Sequence, residues 1–309
     1  MLTVLIATRN GAHTLPRALA AHSQLVGPAG GWKLIIVDNG SEDGTKEIIQ
    51  SFANRLPLTY LFEGSPGKNA ALNKGLDSVE GDLIVLTDDD TLPRPDWLVQ
   101  MRRAADSHAS FAMFAGTVIP HWEVAPEPWI LSWVKMGPVF SMTDPAWQEG
   151  PIDPVYVFGT NMAIRTEIFE AGHRFDAGIG PRAGQYAMGS ETELTMRLGK
   201  AGINAWHCKE ATVEHIIRGF QTKRGWILRR GILYGRGRYR VSIQQHNVDR
   251  KKILGIPGYL IKELRKKGFD VIRAKLHGDP AKVFEKRWIF NYLLGQAIEA
   301  HVLHKELQQ

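Results

Sequence analysis

Three consecutive carboxylates, Asp88-Asp89-Asp90, follow directly on the apolar run Leu83-Ile84-Val85-Leu86 and Thr87. Carboxylate oxygens are the ligands a hard divalent cation takes, and such a cation keeps positions for water and substrate phosphates. If the backbone stays extended through the acids, successive side chains alternate, so Asp88 and Asp90 face one way and Asp89 the other. Two carboxylates on one side can share a cation, which makes Asp88 and Asp90 the expected metal ligands. The alternative is a solvated turn running into Thr91-Leu92-Pro93-Arg94-Pro95, although like charges packed together are costly unless something cationic offsets them. A cation here would act as a Lewis acid, neutralising charge on a departing phosphate group. No Gly-x-x-x-x-Gly-Lys-Ser/Thr loop occurs in the chain, which argues against a P-loop phosphoryl-transfer enzyme.

The acids need a strand to deliver them, and Leu83–Leu86 reads as one covered on both faces, as in a parallel sheet with helices packed over it. Three such units precede it. Leu2–Ala7 reads as a strand, followed by the Asn10-Gly11 turn signal and a helix around Leu15–Gln24. Leu34–Val37 is followed by a polar loop and a helix through Ile49 and Phe52, and Leu58–Phe62 by a helix over Lys68–Ser78. Strand and helix alternating with short connections predict an α/β, doubly wound parallel sheet with helices on both faces. Ligands bind such sheets beyond the carboxyl ends of the strands. There the sequence places the polar clusters Thr8-Arg9-Asn10, Asp38-Asn39, Lys68-Asn69 and Asp88-Asp89-Asp90.

These clusters, with Gly40-Ser41-Glu42-Asp43-Gly44-Thr45 and Gly67-Lys68-Asn69-Ala70-Ala71-Leu72-Asn73-Lys74-Gly75, resemble the successive signatures of family 2 inverting glycosyltransferases with the GT-A fold. The similarity extends to about Gly235. The resemblance implies a nucleotide-sugar donor, UDP by family habit, whose diphosphate is held by a Mn or Mg ion on an Asp-Xaa-Asp motif. It implies a donor nucleotide site made by Thr8, Arg9, Asn10, Asp38, Asn39, Lys68, Asp88 and Asp89, with Asp38 at the nucleobase. Members of the family carry a Glu-Asp pair whose second acid deprotonates the acceptor hydroxyl. The corresponding residues here are Ser190-Glu191, so the implied catalytic base is Glu191. His215 falls where relatives place a histidine near the metal or diphosphate, and Arg218–Arg230 resembles the segment that closes over the diphosphate.

Beside the resemblance, the residues have their own readings. Ser190 with Glu193 three positions on is a capping box opening a helix, a role that leaves Glu191 over. Asn161, in Gly159-Thr160-Asn161, can give and accept hydrogen bonds to sugar hydroxyls, or serve as a turn residue. A Trp- and Pro-rich insertion over about 120–150, with Trp122, Trp129, Trp133 and Trp147, suits stacking on sugar rings or filling a small core. A histidine such as His215 is also commonly a hydrogen-bonded structural residue. Ala205–His207 and Ala211–His215 read as closing strands, and 180–189 as a Gly-rich loop.

Composition bounds the rest. A chain of 309 residues with 44% hydrophobic residues has enough for a substantial core. One cysteine, Cys208, excludes an internal disulfide framework. Between Arg218 and Arg287 there are about twenty Lys and Arg against about five Asp and Glu, so the net charge of +6 belongs to the tail. We therefore expect a catalytic domain over 1–240 and a basic, largely helical region over 241–309 ending in a helix at about Trp288–Leu307. Basic residues interleaved with apolar ones suit an anionic membrane surface or an ordinary solvated helix pair; nucleic acid is disfavoured, because no recognised binding motif accompanies the charge. The N-terminal apolar run is too short for a signal peptide and nothing is long enough to span a bilayer, so the expected location is cytoplasmic and peripheral to the inner membrane face. The expected activity is transfer of a hexosyl group to a hydroxyl of a lipid-linked glycan, in polysaccharide or glycoconjugate synthesis. The alternatives are transfer to a polyprenyl phosphate, a nucleotide-sugar-binding protein without catalysis, suggested by Ser190 in place of the first acid, or a membrane-scaffold role for the tail.

Overall fold

The computed structural model describes residues 1–182, 185–186, 188–245, 252–306 and 308. Ala183, Gly184 and Ala187 of the expected Gly-rich loop, Lys251 of the basic tail and Leu307 at the end of the last helix lie outside these. The chain divides into two units, one of 1–121, 140–184 and 190–216, the other of 122–139, 185–189 and 217–309.

The first unit begins as the periodicity predicts: β1 (Leu2–Thr8), α1 (Leu15–His22), β2 (Trp32–Asp38), α2 (Thr45–Ser51), β3 (Leu58–Phe62), α3 (Lys68–Leu76) and β4 (Leu83–Thr87). The order β3-β2-β1-β4 is parallel throughout, with Thr8 opposite Asp38 and Ile6 opposite Thr87. Every residue of β4 is at most 2% exposed, as a strand packed on both faces requires. Burial of each of its four aliphatic side chains stabilises the unit by roughly 1.5–3 kcal/mol, so a charge at Val85 would disrupt the sheet at its centre.

Beyond β4 the sheet changes character. After β5 (Thr91–Pro93), α4 (Trp97–Ser107), β6 (Met113–Trp122), α5 (Pro128–Trp133), α6 (Met136–Phe140) and β7 (Gly150–Ile152) comes β8 (Asn161–Arg165), which joins antiparallel to β4. α7 (Thr166–Glu170), the two-residue strands β9 (Pro181–Arg182) and β10 (Gln185–Tyr186), and α8 (Ser190–Lys200) lead to β11 (Ala205–Ile217). The two closing strands expected from the sequence are this single strand, which pairs antiparallel with β5 and β7. Gly159-Thr160 and Ser190-Glu191 thereby arrive beside the carboxyl end of β4.

The second unit is built on α9 (Arg224–Gln245), the hairpin β12 (Lys252–Ile253) and β13 (Ile256–Pro257), α10 (Gly258–Leu276) and α11 (Pro280–Glu306). α9 and α11 approach closely over glycine: a Cβ on Gly235 would overlap the Tyr292 carbonyl, and one on Gly295 the Ile232 carbonyl. Glu299, fully buried on α11, is held by Arg236 Nε at 2.6 Å and by Arg240. Among the described residues, no helix is long and apolar enough to cross a membrane.

Candidate active site

The parallel register brings the carboxyl ends of β1, β2 and β4 to one edge, but the acids themselves are not extended. β4 stops at Thr87, and Asp89 and Asp90 lie in a turn. The Thr91 hydroxyl donates to the Asp88 carbonyl at 2.8 Å, and the Thr87 and Thr91 hydroxyls lie 2.8 Å apart. These bonds close the turn, so strand alternation does not operate and the three carboxylates fan out to three different partners.

Asp88 is one end of a charged chain. Its Oδ1 accepts from Lys68 Nζ at 2.6 Å and its Oδ2 from the Thr160 hydroxyl at 2.9 Å. Lys68, at the start of α3, also reaches Glu191 Oε1 at 2.5 Å. Burial opposes the Lys68 charge, but Asp88 and then Glu191 outweigh it and hold the ammonium well above its ordinary pKa. Burial likewise works against the Asp88 carboxylate, yet Lys68 and, further off, His215 keep it below the usual range. Glu191 stands in the first turn of α8 with its side chain 15% exposed, directly over Gly159. A Cβ at Gly159 would overlap the Glu191 Cγ and Cδ, so only glycine leaves room for this rotamer.

Asp89 accepts from the Thr8 hydroxyl, as a register placing Thr8 two residues beyond the Ile6–Thr87 pair dictates. Burial, and next the neighbouring Asp90 charge, push its carboxyl up to about 7 against that hydrogen bond. Asp90 meets His215 Nε2 at 3.3 Å, because β5 pairs with β11 immediately beyond the turn. His215 Nδ1 lies 2.7 Å from the Phe140 carbonyl; an N–H there fixes the tautomer and leaves Nε2 to face Asp90. Burial disfavours the imidazolium, but Asp90 more than compensates and raises the pKa of His215.

The remaining expected residues divide. Asp38 ends β2 almost fully buried, accepting from the Ser41 amide at 2.8 Å and the Tyr60 hydroxyl at 3.2 Å. Burial, then the Asp38 charge, push Tyr60 up to about 12. Asn10, at φ 54°, is exposed and bridges to the next loop through Ser41 and Glu42, while Arg9 is exposed beside it. Asn39, expected at the donor, instead spends its amide on backbone: it donates to Glu63 and Ser65 carbonyls at 3.0 and 2.7 Å and accepts from the Gly67 amide at 2.8 Å. It shapes the loop that launches Lys68. Asn161, expected at a sugar, has its side-chain amide in bonds to the protein. It is 1% exposed, accepts from Trp97 Nε1 at 2.9 Å and donates to the Thr117 and Ala211 carbonyls, so no N–H is left for a hydroxyl. Trp122 ends β6 half-buried and belongs to the second unit, as does the stretch 218–230, where the Arg218 guanidinium lies 4.8 Å over the Phe220 ring. Glu193 pairs with Arg197 at 2.7 Å one helical turn on.

Thr160 and Tyr60 are residues the sequence reading missed. Thr160 sits in the same tripeptide as Asn161, and the pairing of Thr87 with Asn161 places it against Asp88. Without knowing that β8 is antiparallel to β4, neither residue of the pair is distinguishable as the polar contact.

Does this donor set suit a divalent cation? Among the described residues, no three His, Cys, Asp or Glu side chains are grouped tightly enough to enclose one. The oxygens of Asp90 and Asp88, with His215 Nε2 adjacent, nevertheless form a partial set of oxygen ligands of the kind that substrate phosphates complete. The raised Asp89 carboxyl points the same way, since adjacent acids resist joint ionisation until a cation arrives. The set fits.

Residues 3–172, more than half of the chain, match the family model "Glycosyl transferase family 2". The chain is 24% identical over 289 residues to the glycosyltransferase AglE of Haloferax volcanii, covering 88% of each protein. It is 21% identical over 212 residues to a glucosyl-dolichyl phosphate glucuronosyltransferase of the same organism, covering 66% of this chain and 65% of the other. Among solved structures it is similar to a mannosyltransferase of Pyrobaculum calidifontis determined with GDP-Man and Mn2+, at a TM-score of 0.61 and 18% identity over 97% of this chain and 86% of that one.

Proposed function

Because the chain belongs to glycosyl transferase family 2 and is thus a GT-A glycosyltransferase, we propose that it moves a sugar from a nucleotide diphosphate donor, with UDP first among the candidates, to a hydroxyl of a lipid-linked glycan. The observation that carries this reading is the continuous chain Glu191–Lys68–Asp88 beside the Asp90–His215 pair, at the carboxyl edge of the parallel strands. The relative named for a glucosyl-dolichyl phosphate supports a lipid-linked acceptor, and the Mn2+ complex of the mannosyltransferase supports a metal.

Asp90 and Asp88, with His215 at hand, would hold a Mn or Mg ion, which supplies Lewis-acid stabilisation of the departing diphosphate. Asp38, with Tyr60 behind it, would receive the nucleobase, and Thr8, whose hydroxyl donates to Asp89, would line the nucleotide site. Lys68 stays an ammonium at any working pH and is placed to approach donor oxygens as it leaves one of its carboxylates. Glu191 lies across Lys68 from Asp88. Once released from that ion pair, it would take the acceptor hydroxyl proton, and inversion requires that it do so on the side away from the leaving group.

Proton linkage provides a test. Below its raised pKa of about 7, Asp89 is protonated, and His215 is held charged by Asp90. Protons then compete with the cation. The thermal stabilisation given by saturating Mn2+ is therefore expected to grow as pH rises from about 6 to 8. A pH-independent gain, read by differential scanning fluorimetry, would remove the cation from this cluster. The same assay with nucleotide sugars identifies the donor through its mass-action stabilisation.

Gly159→Ala tests the base. The added methyl collides with the flexible end of Glu191 rather than with backbone, so the fold should survive. Turnover should fall roughly a hundredfold, the scale of a misplacement near 1 Å, with donor affinity preserved. Unchanged kcat would mean that the position of Glu191 is irrelevant.

One feature favours a second reading. Glu191 is tied to Lys68 in an ion pair that has to open before the carboxylate can take a proton, and an acceptor that is itself a polyprenyl phosphate would need no base. Turnover by Glu191→Gln on hydroxyl and on phosphate acceptors separates the two.

A further inference from the structure

The outward face of α10 is neither a packing surface nor an ordinary solvated one. Leu260 and Ala274 turn inward and are buried. Phe269, Ile272 and Leu276, spaced three and four apart and hence on one stripe, are 74%, 57% and 83% exposed. The charges sharing that stripe are all positive. Lys262, Arg265 and Arg273 are exposed among the apolar side chains, whereas the two acids of the helix, Glu263 and Asp270, are half-buried off to one side and Asp270 is occupied by Lys267 at 3.4 Å. A helix face made for water mixes both signs and hides large apolar side chains. The hairpin that feeds α10 repeats the pattern at its tip, where Ile253 and Leu254 are 63% and 73% exposed next to Lys252.

We propose that α10 is a membrane-docking surface: the helix lies in the interface of an anionic bilayer, with Phe269, Ile272 and Leu276 entering the acyl boundary and Lys262, Arg265 and Arg273 on the acidic head groups. Apolar residues and cations on one exposed face are complementary to a surface that is apolar below and negative above. No described helix is built to cross the membrane, so the helix lies on it. The inference rests on the lipid-linked acceptor reading for its purpose, since docking would bring the chain to that substrate, but its physical basis is the face itself.

The test uses the full chain and sucrose-loaded vesicles without donor or acceptor. One set is phosphatidylcholine and the other contains about 30% phosphatidylglycerol, enough for a strong surface potential. The chain should sediment with the anionic vesicles, and about 0.5 M salt should release most of it. The double variant Phe269→Ser/Leu276→Ser should bind about tenfold or more weakly, as expected on losing two inserted side chains, with unchanged melting temperature and donor-induced shift. Arg265→Gln/Arg273→Gln should lose mainly the salt-sensitive part. Equal binding to both vesicle types, no binding, or full binding by the double variants would overturn the proposal. So would a wild-type dimer that the Ser variant converts to monomer, because the occupant would then be a second copy. Vesicle binding with no sugar transfer to any acceptor would count against the proposed activity and leave the docking surface standing.

Discussion

Asp90→Ala should lower kcat/KM for sugar transfer by about a hundred- to a thousandfold, the usual loss when one preorganised stabiliser of a leaving group is removed. Asp90 is the acid of the cluster left most available for a cation: Lys68 and the Thr160 hydroxyl take Asp88 and the Thr8 hydroxyl takes Asp89, whereas the Asp90 carboxylate meets His215 Nε2 at 3.3 Å. The substitution removes negative charge from a crowded group of acids, so the apo fold should tolerate it and the melting temperature in chelator should hold or rise. His215, buried and without its counter-charge, should titrate lower than in the wild type, because burial opposes its cation and Asp90 offsets it. An NMR titration of the imidazole would read this independently of activity. The stabilisation by Mn2+ should disappear. Retention of transfer by the variant in metal-free buffer would end the metal assignment and, with it, the reading of this turn as the diphosphate site.

Glu191→Gln should cost roughly a hundred- to ten-thousandfold in kcat on a hydroxyl acceptor, the range for loss of a general base. The amide is nearly isosteric and keeps an oxygen for Lys68, which also retains Asp88 at 2.6 Å, so donor affinity should change little. The expected signature is a loss in kcat with KM for the donor preserved. A variant equally active on a phosphate acceptor and inactive on hydroxyls would point to two uses of one site. Full activity on the natural acceptor would shift the assignment to the polyprenyl phosphate reading, and undiminished transfer to hydroxyls would discard Glu191 as the base.

Residue pairs show how far the chain could be read in one dimension. Asp38 and Asn39 are adjacent and equally polar, yet Asp38 faces Tyr60 at the sheet edge while Asn39 is consumed by the loop carrying Gly67. Thr160 and Asn161 are reversed in the same way: the amide, richer in hydrogen-bonding capacity, is the structural residue, and the smaller hydroxyl reaches Asp88. In both pairs the deciding factor is which residue a neighbouring strand or loop claims first, a nonlocal fact. His215 was legible by position along the chain, but its contact with Asp90 depends on β5 pairing with β11 across more than a hundred residues.

Local periodicity, short connections and chirality were enough to place the first four strands and three helices, the edge at which their polar ends collect, and the acids available there. Tertiary structure alone decided that Asp88, Asp89 and Asp90 turn to three separate partners, that Lys68 joins Asp88 to Glu191, and that α10 keeps an apolar, cationic face outward. Each of these depends on antiparallel pairings or helix contacts between distant segments, and register across such gaps is set by packing that no local pattern encodes.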